Sequence, residues 1–227
     1  MVMRDHSILN LNEYRALKQA QGERSINHLH SLAMDFINQH VNIREKVRAK
    51  HLFRKKLELP PEEALSEQLQ VIFLDWFMFD YKTVQGLTIF NLFIKYRTLC
   101  LKEYELIQAA LCLSAVMEPL EIAHISKDGK VSVKEADGKA ASLQISSMNP
   151  LNLQQGAVLL LRKVPGVYHD IVIGPVIHLK AADRLEKIKM GFERCKISEP
   201  EMTWRAYLKL FALEILLPLE SWERIGE

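Results

Sequence analysis

The chain has 227 residues, of which 48% are apolar, 26% charged and 8% aromatic, and 30 basic residues stand against 28 acidic ones. These fractions match a globular chain long enough to bury a core and exclude a disordered one, while a net charge of +2 excludes a global polyanion-binding field. The longest apolar runs, 71–79 broken by Asp75 and 157–161 ended by Arg162, fall well short of the roughly 20 residues that span a bilayer, so no membrane partner is expected.

The opening Met-Val-Met-Arg-Asp-His lacks the charged-then-apolar layout of a secretory signal, which points to a cytoplasmic protein. From about residue 11 to 110 the apolar spacing is helical: Leu29, Leu32, Ala33, Phe36 and Ile37 recur every three or four residues and make one stripe. His28 and His30 stand two apart, which on a helix turns them about 200° from one another, so they do not chelate one ion together. Residues 44–56 carry the strongest local charge, with Arg44, Lys46, Arg48, Lys50, Arg54, Lys55 and Lys56 against the single Glu45. Arg44 and Arg48 repeat at four, as do Lys46, Lys50 and Arg54, so a helix here presents a broad basic face. That face suits nucleic acid or another polyanion, with Arg44, Arg48, Lys50, Arg54 and Lys55 as the contacting residues. It also suits a solvated surface helix, one balanced by Glu58, Glu62, Glu63 and Glu67 downstream, or one that docks an acidic protein.

Pro60-Pro61 ends this segment, and a helix is predicted over about 61–81 through Leu65, Leu69, Ile72, Phe73, Trp76, Phe77 and Phe79. It is apolar nearly all round beyond Val71, which makes it the central buried helix of the region. Asp75 and Asp80 lie five apart within it and point to different sides; buried carboxylates need partners, so structural roles are expected for both, with Asp80 capping the helix end or tying down the loop 82–86. Gly86 breaks the pattern, and Thr88 caps a short helix through Ile89, Phe90, Leu92, Phe93 and Tyr96.

The run Asp75-Trp76-Phe77-Met78-Phe79-Asp80-Tyr81, followed by Gly86-Leu-Thr-Ile-Phe-Asn-Leu-Phe93, resembles a group of poorly characterised bacterial proteins, some of which carry a C-terminal SEC-C zinc motif. In that group a helical region with a Trp-Phe-x-Phe-Asp motif leads into a small β domain, and the resemblance spans about 61–179. It implies a structural role for Asp75, Trp76 and Asp80. This chain has Ile89-Phe90-Asn91 where the group has Pro-Leu-Glu, so the glutamate of a capping box is missing. The cysteine-rich zinc tail is absent, and the resemblance implies no metal.

Between about 119 and 179 the period changes to two. Asp128-Gly129 and Asp137-Gly138 each separate short strand-like runs, 120–126, 130–135 and 139–146, and Asp-Gly favours a two-residue turn with positive φ at both central residues. Asn149-Pro150 and Gln155-Gly156 mark a loop; runs 157–164 and 167–179 follow, divided by Pro165-Gly166, with Gly174-Pro175 bending the last. Five short strands suggest a small SH3-like or oligonucleotide-fold barrel. The tail returns to helix over about 182–195. A second helix is predicted from Ser198, with Glu201 completing a capping box and Trp204, Leu208, Phe211 and Ile215 on one apolar face up to Pro218. The fold class is α+β, with a helical domain 1–116, a β-barrel domain 117–180 and a helical segment 181–227.

Cys100, Cys112 and Cys195 contain no Cys-x-x-Cys pair, so they read as small buried hydrophobes, Cys112 with a raised pKa. Phosphate-cradling and nucleophile-elbow motifs do not occur, and no metal or other cofactor is implied. The leading expectation is a non-enzymatic binding or regulatory protein. Tyr168 is the only aromatic between Leu111 and Lys189, which leaves backbone contact by the basic helix rather than base stacking on the strands. Two alternatives stand beside it: a protein–protein adaptor or homodimer using the barrel and the C-terminal aromatic helix, and an enzyme whose site is assembled from Asp75, Asp80, His124 or His169.

Overall fold

A computed structural model describes residues 10–62, 64–126, 130–144, 154–180, 183–218 and 222–225. Five helices come first: α1 (Leu11–His40), α2 (Ile43–Lys56), α3 (Glu67–Phe79), α4 (Ile89–Arg97) and α5 (Glu103–Ser114). Short polar side chains start most of them by accepting an orphan backbone N–H of the first turn. Asn42 serves α2 through Arg44 N at 2.8 Å, Ser66 serves α3 through Leu69 N at 3.3 Å, and Thr88 serves α4 through Asn91 N at 3.2 Å. The Thr88 cap stands as the sequence predicted. α3 starts later than expected, because Pro61 and Glu62 form a turn and Ser66 is the side chain that caps the helix.

Six antiparallel strands follow, in the order β3-β2-β1-β4-β5-β6: β1 (Met117–Ile125), β2 (Lys130–Lys134), β3 (Ala140–Gln144), β4 (Val158–Val164), β5 (Ile171–Leu179) and β6 (Trp222–Ile225). The protein is therefore α+β, with the strand runs where the period-two pattern put them. The sheet does not close into the predicted barrel: the β5 edge takes the unforeseen strand β6, and β3 meets the start of β5 only at an isolated bridge, Leu143 with Asp170. The turn at 137–138 also differs. Among its residues only Gly138 has positive φ, at 86°, while Gly138 N–H donates to Glu135 O at 2.9 Å and Lys139 N–H to the Asp137 carboxylate at 3.0 Å. This makes a three-residue loop ending in a left-handed glycine rather than a two-residue turn. Asp128-Gly129 and Asn149-Pro150 lie outside the described residues.

The tail holds α6 (Arg184–Ser198) and α7 (Trp204–Phe211), then a single 3₁₀ turn (Glu214–Leu216). Ser198 ends α6 instead of opening a helix, and its hydroxyl donates to Cys195 O at 2.9 Å. Pro200 breaks the chain there, and Thr203 caps α7 through Ala206 N at 3.1 Å. The α7 face is spent inside the chain: Leu208 and Ile215 are buried, and Trp204 packs edge-on against Phe192 of α6.

Strand β4 faces two cores. Val158, Leu160 and Val164 join a cluster that draws on α1 to α5, the sheet and α7; Leu159 and Leu161 join Leu120, Ile122, Val131, Val133, Leu143 and Val176 on the opposite side. Each such side chain, fully buried, contributes about 1.5–3 kcal/mol. Alternation gives Arg162 the parity of Leu160 and Val164, so it points into the layer between sheet and helices.

Candidate functional site

Two charged constellations dominate the molecule, one sealed and one open. In the sealed one Arg162 has no exposed surface. Its Nη2 donates to Asp75 Oδ2 at 3.0 Å and to Asp80 Oδ2 at 2.7 Å, and its Nη1 donates to Ala115 O at 2.9 Å. The guanidinium also lies over the Phe79 ring, 4.6 Å from its centroid. The five-residue spacing did not keep the carboxylates apart, because Asp80 leaves the helix as its C-cap with φ −121° and swings back under Arg162. Asp80 thus ties α3 to β4 rather than fastening the loop 82–86. Gly174 completes the enclosure from β5: its φ is +70°, and a Cβ there would sit 2.5 Å from Asp75 Oδ1.

One guanidinium against two carboxylates leaves a buried excess of negative charge that Lys209, donating to Leu113 O at 3.3 Å, offsets only in part. Burial raises the Asp80 carboxyl above its ordinary range, Arg162 opposes this and Asp75 adds to it. For Arg162, burial works against the charge but Asp75 and Asp80 outweigh it, so its pKa is raised. Burial pushes the Cys112 thiol nearby to about 12 and leaves it inert. Asp75 Oδ1, Asp80 Oδ1 and Arg162 Nε have no hydrogen-bond partner among the described residues. Trp76 beside them is core, packed against Phe53 of α2 and edge-on to Tyr81. Asp75, Trp76 and Asp80 thus lock α2, α3 and the sheet together. Arg162 escaped sequence reasoning, although an arginine that interrupts an apolar run with core parity is a visible signal.

The open constellation is α2. One side of this helix buries Ala49 and Phe53 against the core, and the opposite side is exposed. Arg44, Arg48, His51 and Lys55 are exposed and fall within about 60° of helix azimuth, a straight row roughly 16 Å long. Lys50 is exposed to one side of the row. Among the described residues the side chains of Arg44, Lys50 and Lys55 make no polar contact, while Arg48 pairs with Glu45 at 3.2 Å and lies over the Tyr81 ring, 5.8 Å from its centroid. Tyr81 donates its hydroxyl to Glu45, which draws the helix's one carboxylate inward and leaves the row cationic. Other members of the basic segment are consumed internally. Lys46 donates to Asn38 O at 3.4 Å, Arg54 to Pro61 O, and Lys56 pairs with Glu214 at 2.7 Å. Arg54 thus stands half-buried at the edge of the row, and His51 takes a place in it that charge counting missed. Glu58, Glu62 and Glu67 form no ion pair with α2 among the described residues.

No family model, curated protein or solved structure matches this chain. The histidines named as candidate site members do not converge. His169 faces Glu23 of α1 at 3.0 Å, and His124 is exposed on β1. Gln19 accepts Val167 N and Tyr168 N at 2.7 and 3.1 Å, so α1 clamps the turn that carries His169. Of the cysteines, Cys112 is buried as expected, whereas Cys100 is exposed. Among the described residues no group of three or more His, Cys, Asp and Glu side chains is placed to hold a metal ion, and no helix is long and apolar enough to cross a membrane.

Proposed function

We propose that this is a non-enzymatic binding protein that contacts a nucleic-acid backbone through the outer side of α2. The observation that carries the reading is the row Arg44, Arg48, His51 and Lys55, exposed along one side of a helix whose other side is buried. Arginine forks and lysine ammonium groups at successive turns meet successive phosphates, and their binding energy comes from counterion release. Strands β1 to β5 carry no aromatic residue for stacking, and Tyr168, in the turn before β5, donates its hydroxyl to Asn12 O at 2.7 Å. The contact therefore positions a backbone and does not read bases.

Fluorescence anisotropy with labelled duplex DNA, duplex RNA and single-stranded RNA across a salt series tests this directly, with poly-glutamate as the arm for an acidic protein. Affinity for a nucleic acid that falls with salt by a log–log slope of about −3 supports the reading. Binding of poly-glutamate alone moves the site to acidic proteins. Absence of binding at low salt makes the row a solvated face.

A further inference from the structure

A cleft of about 460 Å³ opens between the β2–β3 loop, β1 and helices α6 and α7, on elements distinct from the α2 row. Phe192 and Trp204 form one wall, edge-on to each other with ring centroids 5.2 Å apart. Around the aromatics stand Glu118, Glu135, Asp137 and Glu193, against one lining lysine, Lys189, which is paired at 3.3 Å with Glu186 outside the cleft. Lys196 lies over the Phe192 ring, 5.8 Å from its centroid, and leaves Trp204 as the wall's open ring. The carboxylates are under-compensated at depth as well. Lys163, only 11% exposed, is shared by Glu135 at 2.7 Å, Asp170 at 2.7 Å and Glu118 at 3.7 Å. Beyond that lysine, the positive charge acting on Glu118 is Arg205 on α7, and burial raises the Glu118 carboxyl above its ordinary range. Asp137 is held by Lys139 at 2.7 Å, and Glu193 is exposed and makes no polar contact among the described residues.

A cavity with an aromatic wall and an excess of carboxylates selects one ligand chemistry. Aromatic faces attract a cation through the ring quadrupole while accepting its apolar stem, and half-buried carboxylates are stabilised when a cation joins them. A neutral apolar ligand would leave the carboxylates desolvated, and an anion would be repelled. We infer that this cleft binds an organic cation, an alkylammonium or guanidinium group on a slender apolar stem. It sits against Trp204 and Phe192 with its charge towards Glu118 and Glu193. A free diamine and the lysine or arginine side chain of a peptide present the same chemistry.

Isothermal titration calorimetry of the full chain tests the inference with three probes: agmatine, which carries both cationic groups, a short arginine–lysine peptide with blocked termini, and butanediol as the neutral stem. Agmatine or the peptide binds with a Kd of about 1 mM or tighter, and butanediol does not. Tighter binding of the peptide places the cation on a protein partner; binding of agmatine alone makes it a free amine. Glu193→Gln removes an exposed carboxylate, leaves the melting temperature unchanged and weakens binding about threefold or more. Trp204→Leu abolishes binding. Should Trp204→Leu fail to fold, since Trp204 also stacks on Tyr207, Glu193→Gln and Asp137→Asn still decide the matter. No heat from either cation at about 10 mM overturns the inference. So does equal binding of butanediol, or unchanged agmatine affinity in both carboxylate variants.

Discussion

Arg162 and Arg48 carry the same guanidinium, yet one has no exposed surface between α3 and β4 while 46% of the other's side chain is exposed on the outer side of α2. Arg162 spends its charge on Asp75, Asp80 and a backbone carbonyl, and the fold around it is closed by Gly174. Arg48 pairs with Glu45 at the surface and lies over the edge of the core at Tyr81, contacts worth little because water screens the half-exposed guanidinium. The comparison separates two uses of charge. A charge sealed among partners is felt in stability when it is removed, whereas a charge left in water is felt when something else arrives. Substitutions in the two regions should therefore change different observables.

The largest effect is expected at Arg162. Arg162→Met leaves Asp75 and Asp80 buried without their guanidinium partner and should cost about 3–5 kcal/mol in denaturant unfolding. A loss below about 1 kcal/mol would show that the carboxylates are not sealed there. Gly174→Ala comes next: strain at φ +70° and the approach to Asp75 Oδ1 together should cost about 1–3 kcal/mol, measurable in the same way. Thr203→Ala removes the α7 cap and should cost about 1 kcal/mol.

Asp80→Asn sharpens the comparison through pH. Because burial raises the Asp80 carboxyl, the native state retains a proton that the unfolded chain has already released. The stability from this group is full below the ordinary aspartate value of about 4 and is lost as pH rises through the raised native value. The asparagine variant has no such loss, so it should gain on the wild type as pH climbs above about 4. Parallel stability–pH curves for the two proteins would contradict the buried excess charge. The smallest stability effects belong to α2, where reversal of Arg44, Arg48 or Lys55 should stay within about 0.5 kcal/mol each.

Much of this architecture was legible in the chain. The three-and-four spacing of Leu29, Leu32, Ala33, Phe36 and Ile37 places α1 on the core, and the alternation in 157–164 and 167–179 places β4 and β5. Such patterns survive because a helix or strand must bury one side whatever its neighbours are. Features that depend on which elements meet were not legible. Arg162 is explained only once β4 lies over α3, and the convergence of Asp75 and Asp80 needs the turn of the chain at Asp80. Strand β6 has four residues and no period to read, and it is recruited by the free edge of β5. Ser198 with Glu201 looked like a helix start, yet Pro200 between them and the better cap at Thr203 decided otherwise. In the basic segment, charge counting found the helix but not which cations remain outside. Lys46, Arg54 and Lys56 turn inward to partners far along the chain or on a neighbouring turn, and only packing reveals that.

The most direct test of the account is the salt dependence of nucleic-acid binding, measured by anisotropy in parallel on the wild type and on the triple variant Arg44→Glu, Arg48→Glu, Lys55→Glu, with melting curves for both. The account predicts a steep slope for the wild type, flattened by about three in the variant, at an unchanged melting temperature. Equal affinity and equal slope in the two folded proteins would contradict it.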